Sequence, residues 1–122
     1  MIKSIDHIGI AVTSIEQALN YYSGVLGLKE EGTETVEEQG VRVAFLNAGN
    51  TRIELLEPIT ETSPVAKFIS KRGEGIHHVA LGVTSIQARL DELKEKGIGL
   101  INETPKIGAH GAQVAFLHPK ST

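Results

Sequence analysis

Two histidines and one glutamate are the residues of this sequence whose types and spacing suggest chemistry. His7 and His78 are 71 positions apart, and Glu54 lies between them in a stretch rich in Ile and Leu. Two imidazoles and a carboxylate, with positions left open for water or substrate, suit a divalent transition metal. The alternative is that the histidines recur only because the chain has duplicated, and that Glu54 is a solvated strand residue.

The offset of 71 residues also relates other segments, which indicates an internal repeat. The matching pairs are Val12–Ile15 with Val83–Ile86, and Val43–Leu46 with Val114–Leu117. Two copies are too few for a solenoid, so we predict one domain over residues 1–122 with pseudo-two-fold symmetry. Its modules span about 3–59 and 75–122, and a linker helix at about 64–72 joins them.

The first module is predicted to have the order βαβββ, because period-two and helical patterns alternate along it, and the second repeats this order up to its third strand. In the first module we expect a strand at 3–12, a helix from Ile15 to Tyr22, and strands at 28–34, 41–46 and 51–57. In the second we expect a strand from Ile76, a helix from Ser85 to Gly97, and strands at 98–102 and 112–117.

Strand alternation decides which side chains share a face. His7 and Gly9 lie on a face of small residues with room for a ligand, while Ile8 and Ile10 face a helix. If both modules curl around a shared concave face, His7, His78 and Glu54 converge there. His77 and His78 are consecutive in the strand, so their side chains point to opposite faces. His77 is therefore predicted to face a helix or an edge rather than to bind metal. We expect His110, in a glycine-rich loop, to be exposed.

The repeat places the counterpart of Glu54 just past Thr122. We therefore expect the last strand of the second module, with a fourth ligand, to be missing through truncation or an unrecorded tail.

Composition excludes several classes of protein. The net charge is −3 with no block of basic residues, which argues against nucleic acid as the main partner. The chain has no cysteine, so disulfides and thiolate metal sites are excluded. It shows no signal-peptide pattern and no apolar run long enough to span a membrane. We expect a soluble, cytoplasmic protein.

Several segments together resemble the methylmalonyl-CoA epimerases of the vicinal oxygen chelate (glyoxalase-type) superfamily. The resemblance runs along essentially the whole chain. The segments are Asp6–Val12, Glu54–Pro58, Ser63–Ile69, Gly73–Ala80 and Phe116–Ser121. The first two are shared across the superfamily, whereas the linker helix running into Gly-Glu-Gly-Ile-His-His and the His-Pro-Lys-Ser turn are specific to the epimerases.

The resemblance implies an α+β fold of paired βαβββ modules that form a curved, barrel-like mixed sheet around a metal. It implies His7, Glu54 and His78 as ligands of a divalent ion, with Co²⁺ ahead of Zn²⁺, Ni²⁺ or Mn²⁺. Lys120 and Ser121 would contact substrate, and the assembly would be a homodimer.

The activity implied is interconversion of (2R)- and (2S)-methylmalonyl-CoA, by removal of the α-proton and stabilisation of the enolate by the metal. The catalytic acid and base stay unassigned, because Val43 stands where some relatives carry a proposed catalytic Glu and the terminal Glu falls after Thr122. Two alternatives remain open. One is a glyoxalase or dioxygenase on the same scaffold, and the other is a non-catalytic module that binds a small ligand.

Overall fold

The computed structural model describes residues 2–117. The strands are β1 (Ile2–Ala11), β2 (Lys29–Val36), β3 (Val41–Asn47), β4 (Arg52–Pro58), β5 (Gly75–Val83), β6 (Lys106–Ile107) and β7 (Gln113–Val114). The α-helices are α1 (Ile15–Leu19), α2 (Pro64–Arg72) and α3 (Ile86–Glu95). A π-helix follows α1 at Asn20–Val25, and 3₁₀ turns lie at Glu37–Gln39 and Ala109–Gly111.

A five-stranded sheet with the order β2-β3-β4-β1-β5 supports the first part of the chain. β1 and β4 are parallel neighbours, whereas β2 with β3 and β3 with β4 are antiparallel. The predicted α+β class with a mixed sheet is confirmed. Across the described residues, no helix is long and apolar enough to cross a membrane.

By internal contacts the chain divides into two compact units. One is Ile5–Leu81, and the other combines residues 2–4 with the described part of the chain from Gly82 onward. The first unit contains β2, β3, β4, α1 and α2, together with most of β1 and β5. The second contains α3, β6 and β7. The prediction of one domain made of two repeated modules stays a prediction.

The core of the first unit lies between the sheet and α1. Its buried residues are Val12, Ile15, Ala44, Leu46 and Leu55, with Ile10 and Tyr22 among those packed against them. Strand alternation places these sheet residues on the face opposite that of Glu54. The expected contact of the Ile10 side of β1 with a helix is therefore present. The helix begins as predicted, because the Ser14 hydroxyl accepts a hydrogen bond from Gln17 N at 3.2 Å.

The first predicted helix is only partly correct. We expected one α-helix to Tyr22, but after Leu19 the chain widens into a π-helix in which Leu26 N donates to Tyr21 O at 2.8 Å. Gly24 lies within this turn, and glycine does little to hold the regular α-helical path. The linker helix was predicted correctly, with Ser63 as its N-cap and Gly73 as its C-cap.

The predicted strands at 98–102 and 112–117 are wrong in extent. Within the described residues, the first forms a single isolated bridge, from Leu100 to Leu117, and the second only the two residues of β7. The Asn102 side chain explains part of the difference. Its Oδ1 accepts the hydrogen bond of Phe116 N at 2.9 Å, in place of a backbone carbonyl of a regular ladder.

Candidate metal centre

Three neighbouring strands carry the predicted ligands, and His7 lies close to both His78 and Glu54. In the parallel register of β1 and β4, Gly9 stands opposite Glu54, which puts Glu54 beside the face of β1 that carries His7. β5 is the other neighbour of β1 and carries His78. The imidazole of His78 lies over Gly9, where an added Cβ would be 2.4 Å from its Cε1 atom. Glycine at this position thus gives the ring its space.

The two histidines face each other with their Nε2 atoms. These atoms are 3.0 Å apart, and the rings are edge-on at an interplanar angle of 85°. Two nitrogens bound at about 2.1 Å and at a right angle to each other would be separated by about 3.0 Å. The pair therefore has the spacing of two adjacent ligands of one metal ion.

Glu54, the third predicted ligand, is almost completely buried at 3% exposure. Arg52, two residues earlier on the same face of β4, donates to its Oε2 from Nη2 at 2.8 Å and from Nε at 3.0 Å. The same oxygen lies 3.4 Å from His7 Nδ1. Burying a carboxylate is costly unless it is paired, and Arg52 is the partner of Glu54 here.

Each histidine has an outer partner next to it in the chain. Asp6 Oδ2 lies 2.8 Å from His7 Nδ1 and accepts a hydrogen bond from it, and Nε2 is the nitrogen that faces His78. His77 Nδ1 lies 2.9 Å from His78 Nδ1. Partners of this kind fix the orientation and tautomer of a ligating histidine. The histidines are thus held with Nε2 toward the candidate site.

Burial keeps His78 uncharged. Desolvation, and then the positive charges that His7 and His77 can carry, lower the pKa of His78 from 6.5 to about 4. Desolvation alone lowers the pKa of His77. Only the neutral ring can bind a metal, so His78 is ready as a ligand over the whole neutral range.

The other predicted residues fall in different places. His110 is exposed, as expected. His77 packs edge-on against Phe68 of α2, with ring centroids 5.0 Å apart, which agrees with a helix-facing position. Val43 is 2% exposed and apolar, so it cannot exchange a proton. Lys120 and Ser121 lie outside the described residues.

Sequence reasoning missed Asp6 and Arg52, and it missed the contact of His77 with His78. The signals were short-range. Asp6 and His77 immediately precede the two histidines, and Arg52 shares the strand face of Glu54 by period-two spacing. The sequence therefore showed a charged or hydrogen-bonding residue near each candidate ligand, but it did not show which atoms are in contact.

A shallow cleft of about 330 Å³ lies at a different part of the first unit. Residues from β1, α1 and the start of β5 line it, together with Thr13 after β1, Tyr22 of the π-helix and Glu74 just before β5. Glu74 Oε2 accepts hydrogen bonds from Thr13 N at 2.7 Å and from Thr13 Oγ1 at 3.0 Å, and these bonds lower the pKa of Glu74. None of the three predicted ligands lines this cleft.

Comparison with known proteins agrees with this architecture. Residues 6–116 match the model of the Glyoxalase/Bleomycin resistance protein/Dioxygenase superfamily. The chain belongs to this superfamily. Within it, the chain is similar to epimerases, which confirms the resemblance seen in the sequence.

Two relatives and one solved structure illustrate the similarity. The chain is 43% identical to the ethylmalonyl-CoA/methylmalonyl-CoA epimerase of Cereibacter sphaeroides, over 98% of this chain and 91% of that one. It is also 43% identical to human mitochondrial methylmalonyl-CoA epimerase, covering 95% of this chain and 66% of the human one. A methylmalonyl-CoA epimerase solved with methylmalonyl-CoA and NH4⁺ superimposes with a TM-score of 0.93 at 37% identity, over 99% of this chain and 88% of that chain.

Proposed function

We propose that this chain is a metal-dependent epimerase that interconverts (2R)- and (2S)-methylmalonyl-CoA. The observation that carries the proposal is the convergence of His7, His78 and Glu54 on one sheet face, in a chain whose relatives are methylmalonyl-CoA epimerases. The α-carbon of the substrate lies between a thioester and a carboxylate, so its proton is modestly acidic.

His7, His78 and Glu54 would hold the divalent ion, which supplies Lewis-acid stabilisation of the negative charge that develops as the α-proton leaves. The donor set of two nitrogens and one oxygen suits Co²⁺, our first choice, and also Zn²⁺, Ni²⁺ or Mn²⁺. Asp6 and His77 would keep the two imidazoles oriented throughout the reaction.

Epimerisation requires one group to take the α-proton and another to return a proton to the opposite face. Val43 cannot serve, because its side chain is apolar and buried. The proton transfer proposed for the Glu that some relatives carry at this position is therefore performed here by a different side chain or by a water molecule. We retain Lys120 and Ser121 as proposed substrate contacts.

The test is exchange of the α-proton of methylmalonyl-CoA for deuterium, followed by NMR with Co²⁺ added. We expect exchange with the wild-type chain and a loss of at least about a hundredfold in His78→Gln, since a ligand is removed. His110→Gln is the matched control and should retain full exchange, because His110 is an exposed histidine that is not one of the three proposed ligands.

One alternative is favoured by a specific observation. With Val43 at a position where some relatives carry a proposed base, the site would bind a small ligand without turning it over. Tight binding of methylmalonyl-CoA and Co²⁺ with no deuterium exchange would establish this binding module and reject the epimerase. Oxygen consumption that depends on Fe²⁺ would instead indicate a dioxygenase.

We also propose that the protein is a cytoplasmic homodimer. β5 lies at one end of the five-stranded sheet and exposes Val79 and Leu81, each more than half accessible. Exposed apolar side chains of this kind are typical of an interface. Light scattering coupled to gel filtration would give twice the chain mass of 13.1 kDa, and a mass of one chain would reject the dimer.

A further inference from the structure

His7 offers a metal two different places, one at each ring nitrogen. On the Nδ1 side lie Asp6 Oδ2 at 2.8 Å and Glu54 Oε2 at 3.4 Å. Ligand atoms of these three residues all lie within 4.8 Å of one another, which is close enough to hold an ion. On the Nε2 side lies His78 Nε2 at 3.0 Å. Proximity alone does not decide between the two places.

Arg52 occupies the first of these places. Its Nη2 donates to Asp6 Oδ2 at 3.2 Å and to Glu54 Oε2 at 2.8 Å, so one guanidinium contacts both carboxylate oxygens that a cation would need there. A divalent ion bound to the same oxygens would lie at contact distance from a positive charge that cannot be lost at neutral pH. The repulsion makes the Nδ1 side unfavourable.

The guanidinium is also fixed in position. It lies over the ring of Phe45, with Cζ 5.6 Å from the ring centroid, and Phe45 is 2% exposed. Two hydrogen bonds to Glu54 Oε2 hold it from the other direction. Because Arg52 engages Oε2, the second carboxylate oxygen, Oε1, is the one that remains for a metal.

We propose that Arg52 is a positioning residue that selects the ligand atoms of the metal centre. It bars the ion from the cluster of Asp6, Glu54 and the Nδ1 atom of His7. It thereby directs the ion to Nε2 of His7, Nε2 of His78 and Oε1 of Glu54. The inference rests on the metal requirement of the proposed function, and it assigns each donor atom.

The nitrogen used by each histidine can be read by proton NMR of the Co²⁺-loaded protein. A histidine bound through Nδ1 gives a narrow, shifted and non-exchangeable signal from its ring proton Hδ2, because that proton is then remote from the ion. A histidine bound through Nε2 gives no narrow Hδ2 signal, because both carbon-bound ring protons lie next to the ligating nitrogen and are broadened. Its remaining shifted ring signal comes from the proton on Nδ1. The signal disappears in D₂O because the proton exchanges. We expect two such exchangeable signals from the wild-type chain, one from His7 and one from His78.

Arg52→Met removes the charge but keeps an extended apolar stem over Phe45. We expect a narrow, non-exchangeable Hδ2 signal from His7 to appear, because Co²⁺ now also enters the Nδ1 side, and the dissociation constant of Co²⁺ to change about tenfold or more. Arg52→Lys keeps the charge and should show no such Hδ2 signal. Arg89→Met is the control and should leave both signals unchanged, since it breaks only the surface pair with Glu92 on α3.

Three results would overturn the inference. They are a narrow Hδ2 signal or fewer than two exchangeable signals from the Co²⁺-loaded wild type, no Co²⁺ binding at all, and an Arg52→Met spectrum identical to that of the wild type. If Arg52→Met does not fold by circular dichroism, Arg52→Gln replaces it. Deuterium exchange measured on the same samples separates the two proposals. Two correct ring-proton signals with no deuterium exchange at the α-carbon of the substrate would reject only the epimerase. Deuterium exchange at the α-carbon without the two ring-proton signals would reject only the role of Arg52.

Discussion

Gly9 shows how one residue without a side chain sets the geometry of the candidate metal centre. It is buried beneath the ring of His78, and any larger residue would compete with the imidazole for the same space. The outer partners act on an equally small scale, because Asp6 and His77 each turn the ring of the next residue. Ligand orientation is therefore decided by contacts of single atoms.

The first prediction concerns Gly9→Ala. The new Cβ would lie 2.4–2.8 Å from three atoms of the His78 ring, so the ring must move away from His7. We expect the Co²⁺ dissociation constant to rise at least about tenfold, while thermal stability changes little because the ring is the mobile end of its side chain. Calorimetric titration and a thermal melt measure both.

Gly24→Ala is the matched control for this substitution. Its nearest neighbour, Leu19 O, is 4.0 Å from the added Cβ, so metal affinity should not change. If Gly9→Ala bound Co²⁺ as tightly as the wild type, the position assigned to His78 would be incorrect.

The second prediction concerns pH and His78. Its folded-state pKa of about 4 lies below 6.5, so the unfolded chain takes up a proton that the folded chain does not. The resulting stabilisation is complete above pH 6.5 and is lost as the pH falls towards 4. It amounts to at most about 3 kcal/mol, because each pKa unit is worth about 1.4 kcal/mol and the partly exposed ring is screened.

Urea unfolding with a chelator present, at pH 7, 5.5 and 4, measures this effect. The free energy of unfolding of the wild type should fall relative to that of His78→Gln as the pH is lowered. A difference that stays constant from pH 7 to pH 4 would show that His78 titrates alike in both states.

At the scale of elements, a strand of the first unit stabilises the N-terminal end of α1. α1 is only five residues long, too short to be stable by itself. Its first turn is held by Ser14 and also by Glu57 of β4, whose Oε1 accepts the hydrogen bond of Ile15 N at 2.8 Å. A carboxylate at this end also interacts favourably with the helix dipole.

The third prediction follows from that contact. Glu57→Ala should lower the unfolding free energy by about 1.5–3 kcal/mol, since it removes a charged acceptor from a helix N–H. Ser14→Ala, at the same helix end, should cost only about 1 kcal/mol. Urea denaturation compares the two variants, and an equal or smaller loss for Glu57→Ala would contradict the assignment.

Sequence patterns predicted some of these elements correctly and others incorrectly, and the reason is physical. The period-two patterns of β1, β3 and β4 and the Ser63 cap were reliable, because each depends on local burial or on a local hydrogen bond. The strand expected at 98–102 was wrong in extent, in part because the Asn102 side chain supplies an acceptor to Phe116. Such competition between side chain and backbone leaves no periodic signature.

At the scale of the whole molecule, metal binding and folding are linked. A ligand that binds only the folded chain adds stability in proportion to the logarithm of its concentration over its dissociation constant. The candidate ligands come from β1, β4 and β5, which are separate in sequence, so the unfolded chain does not present them together.

The fourth prediction is that Co²⁺ at a hundred times its dissociation constant stabilises the protein by about 2.7 kcal/mol. This corresponds to a rise of about 10 °C in Tm for a chain of this size. Differential scanning calorimetry would show the rise in the wild type and in His110→Gln. The same rise in His78→Gln would place the metal somewhere else.

The sequence by itself determined which residue types could bind a metal, that they recur at a fixed offset, and which strand faces carry them. These properties follow from composition and from the period of two along a strand. Tertiary structure decided the rest: that His7 and His78 meet through their Nε2 atoms and that Arg52 lies on the opposite side of His7. Those facts depend on the parallel register of β1 with β4 and on the placement of β5 beside β1, which are set by long-range pairing and cannot be read from any one segment.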